Sequence, residues 1–95
     1  FAKHQYKRRL SKFITMTISI KYFGLIADVT QTNEEVFTIE KPDFSARDLL
    51  KILHEKYENL NGNTFVIAVN KTLATEDVMI NNNDTIALLP PFAGG

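Results

Sequence analysis

Cysteine is missing from all 95 residues. Its absence excludes a disulfide framework, a zinc–thiolate site, a persulfide carrier and a thiol nucleophile on this chain. Histidine is almost missing too. His4 and His54 are the only two, and neither stands at ligand spacing to the other or to a carboxylate. His54 falls on a helical stretch and reads as a helix-surface residue. The four glycines, Gly24, Gly62, Gly94 and Gly95, are too scattered for a phosphate-cradling loop. Ser11, Ser19 and Ser45 have no base beside them in a recognisable motif. Asp28, Glu34 and Glu35 read as solvated loop charges, and Glu76-Asp77 is at best a weak cation site. No apolar run approaches the ~20 residues needed to cross a membrane, so no membrane partner is expected. Nothing internal supports hydrolysis, redox chemistry or metal catalysis, and no metal is expected.

What remains is an ordinary composition, 44% hydrophobic and 11% aromatic, enough for one small domain with its own core. The net charge of zero hides an asymmetry. Residues 1–15 hold five basic side chains (Lys3, Lys7, Arg8, Arg9, Lys12) and no acid. Residues 16–95 hold the other six basic residues and all eleven acids, a net of −5. An acidic body argues against nucleic acid as a partner, because phosphate binding needs clustered Lys and Arg. Met16 opens a regular strand pattern and reads as the natural start. Residues 1–15 then form a basic leader, an upstream extension or a cloning remnant, and residues 16–95 form the domain. If native, Tyr6, Leu10, Phe13 and Ile14 at helical spacing would make the leader an amphipathic segment for a partner, a membrane surface or targeting.

Along the body, Ile18, Ile20 and Tyr22 alternate with Ser19 and Lys21, the pattern of a half-buried strand over Thr17–Phe23. A short helical turn at Leu25-Ile26-Ala27 leads to a second strand, Glu35–Glu40, and the two are expected to pair as a hairpin. Pro42 interrupts. Ser45 followed by Asp48 resembles a capping box and opens a helix over Ser45–Tyr57. Its apolar stripe is Ala46, Leu49, Leu50, Leu53 and Tyr57, widened by Ile52. Phe65–Val69 (FVIAV) is the run of an interior strand buried on both faces. A short strand near Thr72–Ala74, a loop at Asn81–Asp84 and a last strand at Thr85–Leu89 complete the order β, β, α, β, β, β. One helix with one stripe must cover one face of a mixed sheet. The expected class is α+β with the β-grasp, ubiquitin-like arrangement, and the last strand lies centrally beside the first.

The sequence closes as Leu88-Leu89-Pro90-Pro91-Phe92-Ala93-Gly94-Gly95. The prolines stiffen the root by fixing φ. Glycines without Cβ let the tip thread a narrow channel and leave the last carbonyl accessible. Extended, Pro90–Gly95 reaches at most roughly 20 Å. With no other chemistry in the chain, the terminal carboxylate is the candidate reactive group.

Three stretches resemble the MoaD family, the small sulfur-carrying subunit of molybdopterin synthase. They are Ile20-Lys21-Tyr22-Phe23-Gly24, Ala68-Val69-Asn70-Lys71-Thr72-Leu73, and the tail from Ala87 to Gly95 with its Pro-Pro and diglycine. The resemblance spans Met16–Gly95; the leader departs from it. It implies a cytoplasmic carrier of molybdenum cofactor biosynthesis. Gly95 would be adenylated with ATP by a MoeB-like enzyme, converted to a thiocarboxylate, and inserted into a MoaE-like large subunit. There its sulfur would pass to a cyclic pyranopterin precursor. Gly94 would be the slim spacer, and Phe23, Leu73, Leu89, Pro90 and Pro91 the partner face. The carrier would hold no permanent cofactor and no catalytic side chain, the active site lying on the large subunit. Three other readings stay open: a sulfur carrier for thiamine or tRNA thiolation, a ubiquitin-like protein modifier, and an interaction module with an inert tail.

Overall fold

The computed structural model describes residues 15–91. Gly94, Gly95 and residues 1–14 of the leader lie outside the described residues. The elements are β1 (Met16–Tyr22), α1 (Leu25–Thr30), β2 (Glu34–Ile39), α2 (Ala46–Lys56), a 3-10 turn (Glu58–Leu60), β3 (Val66–Val69), β4 (Thr72–Ala74) and β5 (Thr85–Leu89). The five strands form one mixed sheet in the order β2-β1-β5-β3-β4. β5 runs parallel to β1, pairing Tyr22 with Leu88, and antiparallel to β3, pairing Ile67 with Leu88. This is the β-grasp arrangement, with the last strand central as expected.

Side-chain alternation sorts the strands into two faces. Ile18, Ile20, Tyr22, Ile86, Leu88 and Ile67 point to one side, where they pack with Leu49 and Leu53 of α2 in one buried cluster. Each such side chain contributes roughly 1.5–3 kcal/mol of burial. Helix α2 starts where its capping box places it. The Asp48 amide donates to Ser45 Oγ at 3.2 Å, and the Ser45 amide donates to Asp48 Oδ2 at 3.0 Å. The Ser45 backbone donor, joined by Lys41 Nζ at 3.2 Å, holds the Asp48 carboxyl below its usual pKa.

Several expectations need correcting. β1 and β2 do pair antiparallel, with Ile20 opposite Glu35. Their link is a six-residue helix, α1, instead of a brief turn, and its Ile26 is buried in the core. Ile52 does not widen the buried stripe: it is exposed at the margin of α2. Past α2, the 3-10 turn tucks Leu60 fully into the core. Phe65 falls before β3 and stacks on His54 at 6.1 Å between ring centroids. His54 is accordingly half-buried, and its Nδ1 is enclosed without a hydrogen-bond partner.

Glu35 is the largest correction. It is no loop charge but a β2 residue on the helix side of the sheet. It accepts hydrogen bonds from Tyr22 Oη (2.7 Å), Lys56 Nζ (2.5 Å) and Tyr57 Oη. Burial alone pushes its carboxyl pKa up. The donors from Lys56, Tyr57 and Tyr22 outweigh that and hold it below the usual value. Burial, reinforced by the bond to Glu35, pushes the Tyr22 hydroxyl far up, so it stays protonated and donating. Lys56 and Tyr57, 21 and 22 residues away in sequence, thus tie the C-terminal end of α2 to the edge strand, and Tyr22 adds a side-chain link from the neighbouring β1.

Candidate functional site

No helix among the described residues covers the other face of the sheet. By register it presents Thr17, Ser19 and Lys21 from β1, Val36 from β2, and Thr85, Ala87 and Leu89 from β5. Val66 and Ala68 from β3 and Leu73 from β4 complete it. Ala68 lies between Leu73 on one side and Ala87 on the other, which makes a low apolar strip across three strands. Leu73 remains 54% exposed and Phe23 44% exposed, while Leu89 is half-buried. Phe23 joins the strip through a concavity of about 360 Å³ lined by Lys21, Phe23, Asn70, Lys71, Thr85 and Ala87. Ala68 itself is buried, so the apolar area this face exposes comes mainly from Phe23 and Leu73, with Ala87 and Leu89 half-buried between them.

The structure therefore brings Phe23, Leu73 and Leu89 onto one face, although 50 residues separate Phe23 from Leu73. Pro90 and Pro91 continue directly from β5, half-buried and exposed respectively. Gly94 and Gly95 are the two site residues that lie outside the described region.

Sequence reading missed a residue at the tail root. Gly24 has φ 57° and ψ −134°, a conformation open to glycine but not to L side chains. A Cβ there would sit 2.8 Å from Pro90 Cγ. Beside it, the Phe23 amide donates to the Leu88 carbonyl at 3.2 Å, and the Gly24 carbonyl accepts from the Ala27 amide at 3.1 Å. Gly24 thus ends β1, caps α1 and leaves room for the proline ring where the tail departs. Its position after a strand was visible in the sequence; its contact with a residue 66 positions later was not.

Asn70 is a second such residue. Its amide donates to the Thr85 carbonyl (2.8 Å), its Oδ1 accepts from the Thr85 amide (2.9 Å), and its Nδ2 donates to Asp84 Oδ1 (2.8 Å). The β3–β4 turn is thereby clipped to the start of β5. Asp84 is buried and also accepts from the Asn81 amide at 2.7 Å, which explains why the Asn81–Asp84 loop is well anchored. Among the described residues, no three His, Asp or Glu side chains converge as a metal site, and no helix is long and apolar enough to cross a membrane.

A ThiS family profile matches residues 20–95, most of the chain and all of the strands from β2 onward. The chain belongs to the ThiS family. This places it among the ThiS/MoaD-type ubiquitin-like sulfur carriers. Solved structures agree on the fold. A Pyrococcus furiosus protein named for subunit 1 of molybdopterin converting factor is 20% identical, with a TM-score of 0.74 over 80% of this chain and 98% of its own. Small archaeal modifier protein 1 of Haloferax volcanii is 19% identical, with a TM-score of 0.71 over 80% of this chain and 98% of its own. A Helicobacter pylori structure, the complex of subunits 1 and 2 of molybdopterin-converting factor, is 28% identical, with a TM-score of 0.56 over 84% of this chain and 100% of its own. In a ThiS-family chain, the uncovered face and the tail root together form the candidate site.

Proposed function

We propose that this ThiS-family chain is the sulfur-carrying small subunit of molybdopterin synthase, acting through the carboxylate of Gly95. The observation that carries the reading is the meeting, at the end of β5, of an uncovered apolar face with a proline-stiffened tail root. A partner that covers Phe23, Leu73 and Leu89 would also meet Pro90 and Pro91, the root of the segment that ends in Gly95. The Helicobacter pylori relative, solved as a complex of subunits 1 and 2, supports a large subunit as that partner.

The chemistry follows from a carboxylate being a poor electrophile. Its oxygen attacks the α-phosphorus of ATP on a MoeB-like enzyme, and pyrophosphate leaves. Sulfide from a donor then displaces AMP from the acyl-adenylate, forming the C–S bond and leaving a thiocarboxylate at Gly95. In the partner's pocket the thiocarboxylate sulfur bonds to a carbon of the cyclic pyranopterin precursor and displaces an oxygen substituent. A water then cleaves the acyl–sulfur link, which leaves the sulfur on the precursor and a carboxylate at Gly95. This chain acts as a protein-borne co-substrate, which accounts for the lack of catalytic residues in its sequence.

Intact mass spectrometry tests the reading. After incubation with a MoeB-like enzyme, ATP and a sulfide donor, the protein should gain the mass difference of one oxygen replaced by sulfur, mapped to Gly95. Adding the large subunit and the precursor should return the original mass. Deleting Gly94-Gly95 should abolish the gain and leave Tm unchanged. If sulfur loads but the large subunit does not discharge it, the chain serves thiamine or tRNA thiolation. Isopeptide adducts on cellular lysines would make it a modifier, and no loading at all would leave an interaction module.

A further inference from the structure

We infer that Lys21 and Lys71 make the uncovered face selective for a protein whose apolar contact surface carries carboxylates opposite them. The inference rests on the large-subunit reading and adds to it the chemistry of the partner's surface. Residues 16–95 carry a net charge of −5. The uncovered face departs from that balance. Its strands hold one acid, Glu34, against Lys21, with Lys71 on the adjoining β3–β4 turn. Lys41, Arg47 and Lys56 are each in ion pairs elsewhere on the domain, and Lys51, exposed and in no ion pair among the described residues, lies on α2 away from this face. Lys21 and Lys71 are in none among the described residues, although Glu34 stands across from Lys21 in register. Both lysines are exposed, and both line the concavity that also holds Phe23 and Ala87.

The backbone at Lys71 is an independent observation. Asn70 and Lys71 have φ of 50° and 72°, the two positive values of a type I′ hairpin turn. Glycine is the favoured residue at the second position, because an L side chain is strained there. The turn cannot relax the strain by moving, since Asn70 clips it to Thr85 and Asp84. A lysine kept in a glycine conformation, on a rigid mount beside an apolar face, points to a role for its charge. A partner that buries the strip must meet these ammonium groups at its edge. Without carboxylates to pair them, their desolvation opposes binding. Charges at such a rim act mainly on association rate and its salt dependence.

The test is the association kinetics of the full chain with its large subunit, at low salt and at about 0.5 M salt, where the screening length is only a few ångströms. Lys71→Gly should leave Tm unchanged or raised and slow association several-fold at low salt, with the difference closing at high salt. Lys71→Glu and Lys21→Glu should slow it further. Wild-type binding with unchanged rates in all three variants, or faster binding by the Glu variants, would overturn the inference alone. A wild-type chain that does not bind the large subunit at either salt would overturn the partner reading and this inference together. In that case a concentration-dependent dimer in sedimentation would identify a second copy as the occupant of the face.

Discussion

Leu88 and Leu89 are the same residue at successive positions of one strand, and they belong to different parts of the protein's work. Leu88 is fully buried beneath α2, paired with Tyr22 on one side and Ile67 on the other. Leu89 turns to the uncovered face opposite Val66 and stays half-exposed. The period-two alternation of a strand therefore divides a single apolar run between the core and the uncovered face. Because the division runs between neighbours, substitutions one residue apart should have separable effects.

The largest effect should come from the covered face. Leu88→Ala leaves a cavity between β1, β3 and α2 and should cost about 2–5 kcal/mol in urea unfolding. Leu89→Ala, one position on, should cost less than about 1 kcal/mol, since its side chain is already partly in water. Equal losses at the two sites would erase the distinction between the faces.

Two intermediate effects lie where the faces are tied together. Glu35→Ala removes the acceptor of the buried Tyr22 hydroxyl, and an orphaned buried donor costs roughly 1–3 kcal/mol. It should also change the response to acid. The folded carboxyl titrates below its usual value, so its contribution is present above about pH 4.3, the ordinary Glu pKa, and is lost as pH falls through the lower folded value. Wild type should therefore lose stability more steeply than the variant on going from pH 5 to pH 3. Parallel curves would remove Glu35 from the acid response. Gly24→Ala combines a strained φ with the approach to Pro90 and should cost about 1–3 kcal/mol. Replacing Pro90 by Ala in the same chain should restore part of that loss. No restoration would mean that the backbone conformation alone sets the requirement for glycine.

The features legible in the sequence are those written in short-range periodicity. The alternation of Ile18, Ile20 and Tyr22, the Ser45/Asp48 cap and the run Phe65–Val69 all specify local geometry, and the order of elements then leaves few ways to cover one face with one helix. Local pattern does not carry register. Glu35 read as a loop charge because its three donors are brought to it only when β2 pairs with β1 and α2 crosses above them. The fit of Gly24 to Pro90 likewise exists only once β5 lies beside β1. His54 read as a surface residue because nothing near it in sequence announces Phe65. The uncovered face was legible as separate residues, Phe23, Leu73 and Leu89, through family resemblance. The strip that joins them, made by Ala68 and Ala87, is a product of strand order. The diglycine stands at the other extreme, readable only as sequence.

The smallest effect on folding should accompany a decisive effect on binding. Leu73 sits on the edge strand β4, opposite Ala68, more than half exposed and outside the buried cluster. Leu73→Asp leaves no cavity and keeps the strand's backbone bonds to β3, so unfolding should shift by less than about 1 kcal/mol. On the proposed binding side, the same change sets a carboxylate at the outer end of the apolar strip, where a covering partner would have to desolvate it without a partner charge. Titration calorimetry with the large subunit should therefore show at least a tenfold loss of affinity, about 1.4 kcal/mol, with sulfur loading of Gly95 by a MoeB-like enzyme as a separate readout of the tail. If affinity survives while Leu88→Ala behaves as a core deletion, the uncovered face is apolar for another reason, and the partner must reach the tail without crossing Leu73. If Leu73→Asp unfolds the domain, the edge strand belongs to the core and the boundary between the two faces lies elsewhere.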